Sequence, residues 1–174
     1  MTGFVAEAMS PFPAFRFQVD FREHRLTRGE QPGDLVRLCR GSFSECTGLE
    51  ATMEPKVIKE GGRNYGAAQR VGAVTFGSVV LKRGMTSNED LWRWFKLVAR
   101  GGYAYRLTAD ITVLGPSTSG GEPVARWVWR LRHCLPTKFK APDLDAKGDQ
   151  VAIEELQLAH EGLDLLQAPR GGST

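Results

Sequence analysis

The sequence predicts a mainly β fold, an antiparallel barrel or sandwich of six to seven strands with one packed α-helix. Alternation of apolar and polar residues with period two recurs along most of the chain, whereas a helical period occurs in one clear segment. Glycine accounts for 20 of 174 residues, which favours turns and strands. A chain of this length suits one domain, burying roughly 70% of its unfolded surface without covalent staples. Hydrophobic residues at 41% and charged residues at 25% exclude a mostly disordered chain.

In order, residues 1–11 are expected to form a flexible arm, 12–166 the single domain and 167–174 a disordered tail. Phe15, Phe17, Val19 and Phe21 alternate with Ala14, Arg16, Gln18 and Asp20, the pattern of a half-buried strand. Residues 22–34 are charged and rich in turn formers, and read as a connection. Residues 35–43 and 52–58 are strand-like, with Pro55 marking an edge or a bulge. Residues 59–72, KEGGRNYGAAQRVG, offer only Val71 to a core and predict a long exposed loop or the tip of an extended hairpin. A β-branched strand is expected over 73–81.

The helix follows. Thr86, Ser87 and Asn88 offer caps, Glu89 and Asp90 place acid in the first turn, and Gly101-Gly102 ends it. Leu91, Trp94, Phe95 and Val98 line one face. Strands are expected over 103–114 and 124–135, with Pro136 and Pro142 bracketing a loop. In the second strand Ala125, Trp127, Trp129 and Leu131 face one way and Arg126, Arg130 and Arg132 the other. Residues 151–166 read as a strand as far as His160, with Ala152, Glu154, Leu156, Leu158 and His160 on one face. A helix with Ile153, Leu156, Leu163 and Leu166 on one face is the alternative.

Known chemistries find no residues here. The balance of 23 Lys+Arg against 20 Asp+Glu gives a net charge of +3, too little to mark a nucleic-acid or membrane protein. Cys39, Cys46 and Cys134 cannot all pair and form no C-x-x-C, so a reducing compartment is the simpler reading. No basic leader precedes an apolar run, and no run of 18 apolar residues exists, so neither a secretion signal nor a membrane span is expected. His24, His133 and His160 lie far apart, there is no G-x-S-x-G, and the glycines at 61, 62 and 66 lack the G-K-[ST] of a phosphate loop. Asp143, Asp145 and Asp149 lack the glycine and closing glutamate of a calcium loop. Trp92, Trp94, Trp127 and Trp129 invite base stacking, but Trp94 suits core packing better and Trp127 and Trp129 suit a covering helix; the tryptophans and the arginine stripe keep a nucleic-acid-binding β-domain as a further alternative.

Several segments nevertheless stand together in one order. They are F-S-E-C-T-G-L-E at 43–50, I-K-E-G-G-R-N at 58–64, V-V-L-K-R-G-M-T at 79–86, L-W-R-W at 91–94, A-R-W at 125–127, P-T-K at 136–138 and V-A-I-E-E-L-Q-L-A-H-E-G-L at 151–163. In this order they resemble the tail-tube proteins of contractile phages, including inner-tube proteins of phage-like extracellular contractile injection systems, over residues 12–163.

The resemblance implies a structural subunit, not an enzyme, without cofactor or metal. It implies stacked hexameric rings whose strands join into one inner barrel around a channel. The implied partners are other copies of the chain, a contractile sheath protein, and baseplate, spike and tube-cap proteins, with nucleic acid or protein only as channel content. Assembly in the cytoplasm and incorporation into a phage tail or extracellular particle follow from it. A tube-initiating subunit next to the baseplate is the alternative within the same machine. Glu60, Gly61, Gly62, Arg63, Asn64 and Tyr65 are the expected inter-ring or inter-subunit contacts, with Glu60 and Arg63 as charge partners. Arg126, Arg130 and Arg132 are expected at the lumen or an interface. The charged stretch at 22–34 and the turn at 115–123 are longer than the family pattern.

Overall fold

A computed structural model describes residues 16–24, 35–36, 43–59, 61–62, 65–101, 105–116, 122–143 and 151–167. The predicted arm, the tail beyond Gln167 and most of the charged stretch at 22–34 lie outside the described residues, as do Cys39, Asp145 and Asp149. The described chain runs β1 (Arg16–His24), β2 (Leu35–Val36), β3 (Glu45–Thr47), β4 (Ala51–Met53), β5 (Lys56–Ile58), β6 (Ala68–Arg70), β7 (Val74–Phe76) and β8 (Val79–Gly84). It continues through α1 (Asp90–Ala99), β9 (Arg106–Gly115), β10 (Val124–Lys140), β11 (Ile153–Ala159) and β12 (Gly162–Gln167). All the pairings are antiparallel.

An eight-stranded sheet organises the domain in the order β2-β1-β9-β10-β11-β8-β3, with β12 also on β10. The 17-residue β10 is the spine. Its first part pairs with β9 and β12, and its second part pairs with β11. β11 and β12 therefore act as one long partner strand that bends at His160-Glu161. Opposite this bend β10 carries a register shift between Leu131 and Cys134, where His133 takes a φ of 53°. The paired bends fold the sheet into two leaves, one of β2, β1, β9 and β12, the other of β3, β8 and β11.

The core fills the space between them. Val19, Phe21, Leu107, Ala109, Ile111 and Leu131 from the first leaf meet Val79, Leu81, Leu156 and Leu158 from the second. Leu91 and Trp94 of α1 join them, with Trp94 edge-on to Phe21 at 5.5 Å between ring centroids. The helix occupies the predicted residues; Glu89 stands at its N-cap without a side-chain capping hydrogen bond, and Asn88, one residue earlier, accepts the Asp90 amide on Oδ1 at 3.2 Å.

The strands differ from the sequence reading in ways that have physical causes. Twelve described strands replace the expected six to seven, because bulges and glycines divide predicted runs. Arg22 to His24 continue β1 instead of starting the connection, since β9 supplies hydrogen-bonding partners as far as Arg106. The run at 35–43 is a strand only at Leu35–Val36 among its described residues, and Phe43 enters the core. The run at 52–58 breaks at Pro55 into β4 and β5, and the run at 73–81 breaks at Gly77-Ser78 into β7 and β8. Pro136 does not open a loop. It lies inside β10 beside the register shift at 136–138, where a missing N–H disrupts least. The helical alternative for 151–166 gives way to β11 and β12, whose hydrogen bonds come from β10 and β8.

Candidate assembly surfaces

The expected contact segment sits at the end of an extended hairpin. β4 pairs with β7 (Met53 opposite Val74) and β5 with β6 (Lys56 opposite Arg70), so a bulge separates the two ladders at Pro55 and Gly72. Only glycine fits there, since a Cβ on Gly72 would lie 1.7 Å from the Glu54 carbonyl oxygen. From Ala51 to Ile58 the extended chain of β4 and β5 reaches about 25 Å at about 3.3 Å per residue. The hairpin buries almost none of itself: Met53, Val57, Val71 and Val74 are exposed, and Tyr65 is 96% exposed near the tip. An isolated two-stranded ribbon with exposed apolar side chains is marginal in water. Its base is held more firmly, by the Gly77 amide on the Glu50 carbonyl at 3.2 Å and by Phe76 against the His160 ring. Gly61 and Gly62 are exposed, with open space around them and a φ of 83° at Gly62. Glu60, Arg63 and Asn64 lie outside the described residues.

The arginine stripe belongs to a charged face of the first leaf. Register places Asp20 opposite Asp110, Asp110 opposite Arg130, and Arg130 opposite Asp164, one row across four strands. Arg130 grips Asp110 with two hydrogen bonds, Nε to Oδ1 at 2.7 Å and Nη2 to Oδ2 at 2.8 Å. That bidentate bond raises the Arg130 pKa above its ordinary value. Arg22 also approaches Asp110, at 3.4 Å, and Arg132 meets Asp164 at 3.0 Å. Gln18 donates to both oxygens of Asp20 at 3.0 Å. Arg126 is separated from the stripe by a register shift between Ala125 and Trp127, and its Nη2 donates to the Pro116 carbonyl at 2.9 Å. Sequence alternation places Arg130 and Arg132 together correctly, but it cannot show the carboxylates facing them from β9 and β12.

The sheet edges are the third surface, which no side-chain motif marks. β12 pairs with β10 on one side and has no partner strand on the other among the described residues. Among the described residues β2 covers the outer side of β1 only at Phe21 and Arg22. Because β1, β9, β10 and β12 alternate in direction, the strands at the two margins of this leaf run oppositely.

The remaining candidate residues fall into structural roles. Trp94 is core, Trp129 packs against it, and Trp92 stacks on Phe95 with ring centroids 5.7 Å apart. His133 Nδ1 bonds Glu161 at 2.6 Å at the sheet bend, and Asp143 pairs with Lys140 at 3.1 Å. Among the described residues no group of three His, Cys, Asp or Glu side chains could hold a metal, and no helix is long and apolar enough to cross a membrane.

Comparison with known proteins bears on the family and the fold. Residues 13–164 match the family of the T4-like virus tail tube protein gp19. A chain in the cryo-EM structure of the anti-feeding prophage baseplate is 26% identical, with a TM-score of 0.68 over 91% of this chain and 97% of that one. A chain of the sheath–tube complex of PVC, an extracellular contractile injection system, is 16% identical, with a TM-score of 0.67 over 96% and 100%. An Hcp protein, at 12% identity, superposes with a TM-score of 0.50 over 86% of this chain and 93% of its own. No curated protein matches the sequence.

Proposed function

The chain belongs to the family of the T4-like virus tail tube protein gp19, and on that premise we propose that its copies close into hexameric rings that stack as an inner tube. It is a structural tube protein of a contractile injection system and not an enzyme. The observation that carries the ring is the first leaf, whose strands β1 and β12 run in opposite directions: among the described residues β12 has no strand on its outer side, and β1 is covered there by β2 at Phe21 and Arg22 alone. Setting β12 of one copy beside β1 of the next makes an antiparallel joint, which continues the alternation already present inside each subunit. That contact is heterologous, and repetition closes it when the rotation permits. It also removes an exposed edge that would otherwise recruit strands at random.

The apolar side of this leaf is already covered by α1 and the second leaf, so its charged side is left for the channel. The hairpin then projects away from the ring. Burying Met53, Val57, Val71, Val74 and Tyr65 against a neighbouring ring would supply the support that the ribbon lacks on its own. Gly61 and Gly62 permit close backbone approach at that contact, and Glu60, Arg63 and Asn64 supply its polar groups. Contractile sheath, baseplate, spike and tube-cap proteins are the further partners, and assembly begins in the cytoplasm before the tube joins the particle. Negative-stain microscopy of the purified chain tests this directly: rings with a central hole, or tubes, are expected. Deleting residues 61–67 should leave folded subunits and abolish stacked tubes. A monodisperse monomer at high concentration would overturn the ring, and normal tubes from the deletion would overturn the role of the hairpin.

A second reading places the protein in the first rings, next to the baseplate. The 26% identity to a chain in a baseplate structure, against 16% to one in a sheath–tube complex, favours it. A tube initiator would form rings that stop after a short stack and bind baseplate components. A main-tube subunit would polymerise to long tubes.

A further inference from the structure

From the pairing on the charged face we infer that the channel wall is charge-compensated and does not retain nucleic acid. This rests on the ring reading, in which that face lines the channel. Of the described guanidinium groups on this face, Arg22, Arg106, Arg130 and Arg132 each lie within 4.0 Å of a carboxylate, and Arg16, at the exposed start of β1, has no such partner among the described residues. Asp110 serves Arg22 and Arg130, Asp164 serves Arg132, and Glu161 serves Arg106 at 3.8 Å. Asp20 adds another carboxylate in the same cross-strand row, held by Gln18.

Binding of a polyanion is driven by cations that exchange condensed counterions for phosphates. A guanidinium already committed to a carboxylate has to give up that bond first. For Arg130 the bond is bidentate and three-tenths exposed at most, so the exchange is unfavourable. Repeated around a ring, the face presents alternating charges of both signs. A wall of this kind suits a chain of mixed charge that slides without sticking, and it gives a phosphate backbone no continuous positive track.

Asp164 offers the cleanest handle, because it is partly exposed on the marginal strand β12 and pairs with a partly exposed arginine. Asp164→Asn releases Arg132 in every subunit. Rings of the parent and the variant would be titrated with fluorescein-labelled oligothymidylate across a salt series, with ring formation scored by microscopy on the same samples. The parent should bind weakly with a shallow salt dependence. The D164N rings should bind at least about tenfold tighter at low salt, with log K against log salt steeper by about 0.7 for each added phosphate contact. Adding Arg132→Gln to D164N should return binding to the parent level. Parent rings that already bind as tightly and steeply as D164N would overturn the compensation, as would a D164N variant that gains nothing. Samples that contain no rings would instead overturn the ring reading.

Discussion

Arg83 and Glu154 set a sharp test of how this core is held. They face each other across β8 and β11, in the same row of inward positions as Leu81 opposite Leu156 and Val79 opposite Leu158. Arg83 is 1% exposed, and its Nε donates to Glu154 while its Nη2 donates to the Asn88 carbonyl just before α1 at 3.1 Å. An ion pair so buried contributes little net stability, because desolvation offsets the attraction, but breaking it leaves an uncompensated charge at a cost of about 3–5 kcal/mol. Glu154→Leu and Arg83→Met should therefore each lower stability by about 3 kcal/mol or more, and lower the melting temperature by about 6–12 °C for a chain of this size. The double variant R83M/E154L replaces both charges with apolar groups. It still leaves the Asn88 carbonyl without its donor, a loss of about 1 kcal/mol. It should thus lie within about 1–2 kcal/mol of the parent and well above either single variant. Urea unfolding followed by tryptophan emission, at protein concentrations too low for ring assembly to contribute, measures all four corners of the cycle. An E154L variant costing less than about 1 kcal/mol, or a double variant as unstable as the sum of the singles, would refute the reasoning.

Further outcomes follow from local geometry and burial. Gly48 sits at a φ of 85°, and a Cβ there would lie 2.1 Å from the Ser78 carbonyl oxygen, so Gly48→Ala should cost at least about 2 kcal/mol by thermal unfolding. Burial pushes the Cys134 thiol up to about 12 from 9.0, and Cys46 up to about 11. Because the folded value is the raised one, the stabilisation is complete below pH 9 and is lost as the pH rises from there toward 12. In that window the parent should lose roughly 1.4 kcal/mol per pH unit relative to Cys134→Ala, seen as converging denaturation midpoints. In a Cys39→Ser/Cys46→Ser background at pH 8, Cys134 should not react with a disulfide reagent at a rate above that of local opening, and its immediate modification would contradict its burial.

Legibility from sequence followed the range of the interaction involved. The α1 boundaries and its buried Leu91 and Trp94 could be read because caps, dipole-matched charges and a helical period all act within a few residues. The alternation in β1, and in β11 with Glu154, Leu156 and Leu158 on the buried face, was legible for the same reason. The extended hairpin was visible as a segment with nothing to bury. Its β6 strand was not, since Ala68, Gln69 and Arg70 acquire strand geometry only by pairing with β5. The extension of β10 through Pro136 to Lys140 was missed because it depends on β11, a strand some twenty residues further along the chain. Arg130 and Arg132 were placed on one face correctly, whereas the separation of Arg126 required knowing where β9 and β10 slip in register.

By itself the amino-acid order determined the class of fold, the helix, an exposed segment at 59–72 and the family, because side-chain periodicity and turn chemistry are local properties of the chain. Only the tertiary structure decided which strands lie side by side, that Asp110 pairs with Arg22 and Arg130 and Asp164 with Arg132, and that β1 and β12 run oppositely at the two sides of the first leaf. Those features arise from hydrogen bonds and ion pairs between residues far apart in sequence, and a one-residue slip of a strand would turn its charged side chains away from their partners to the other face.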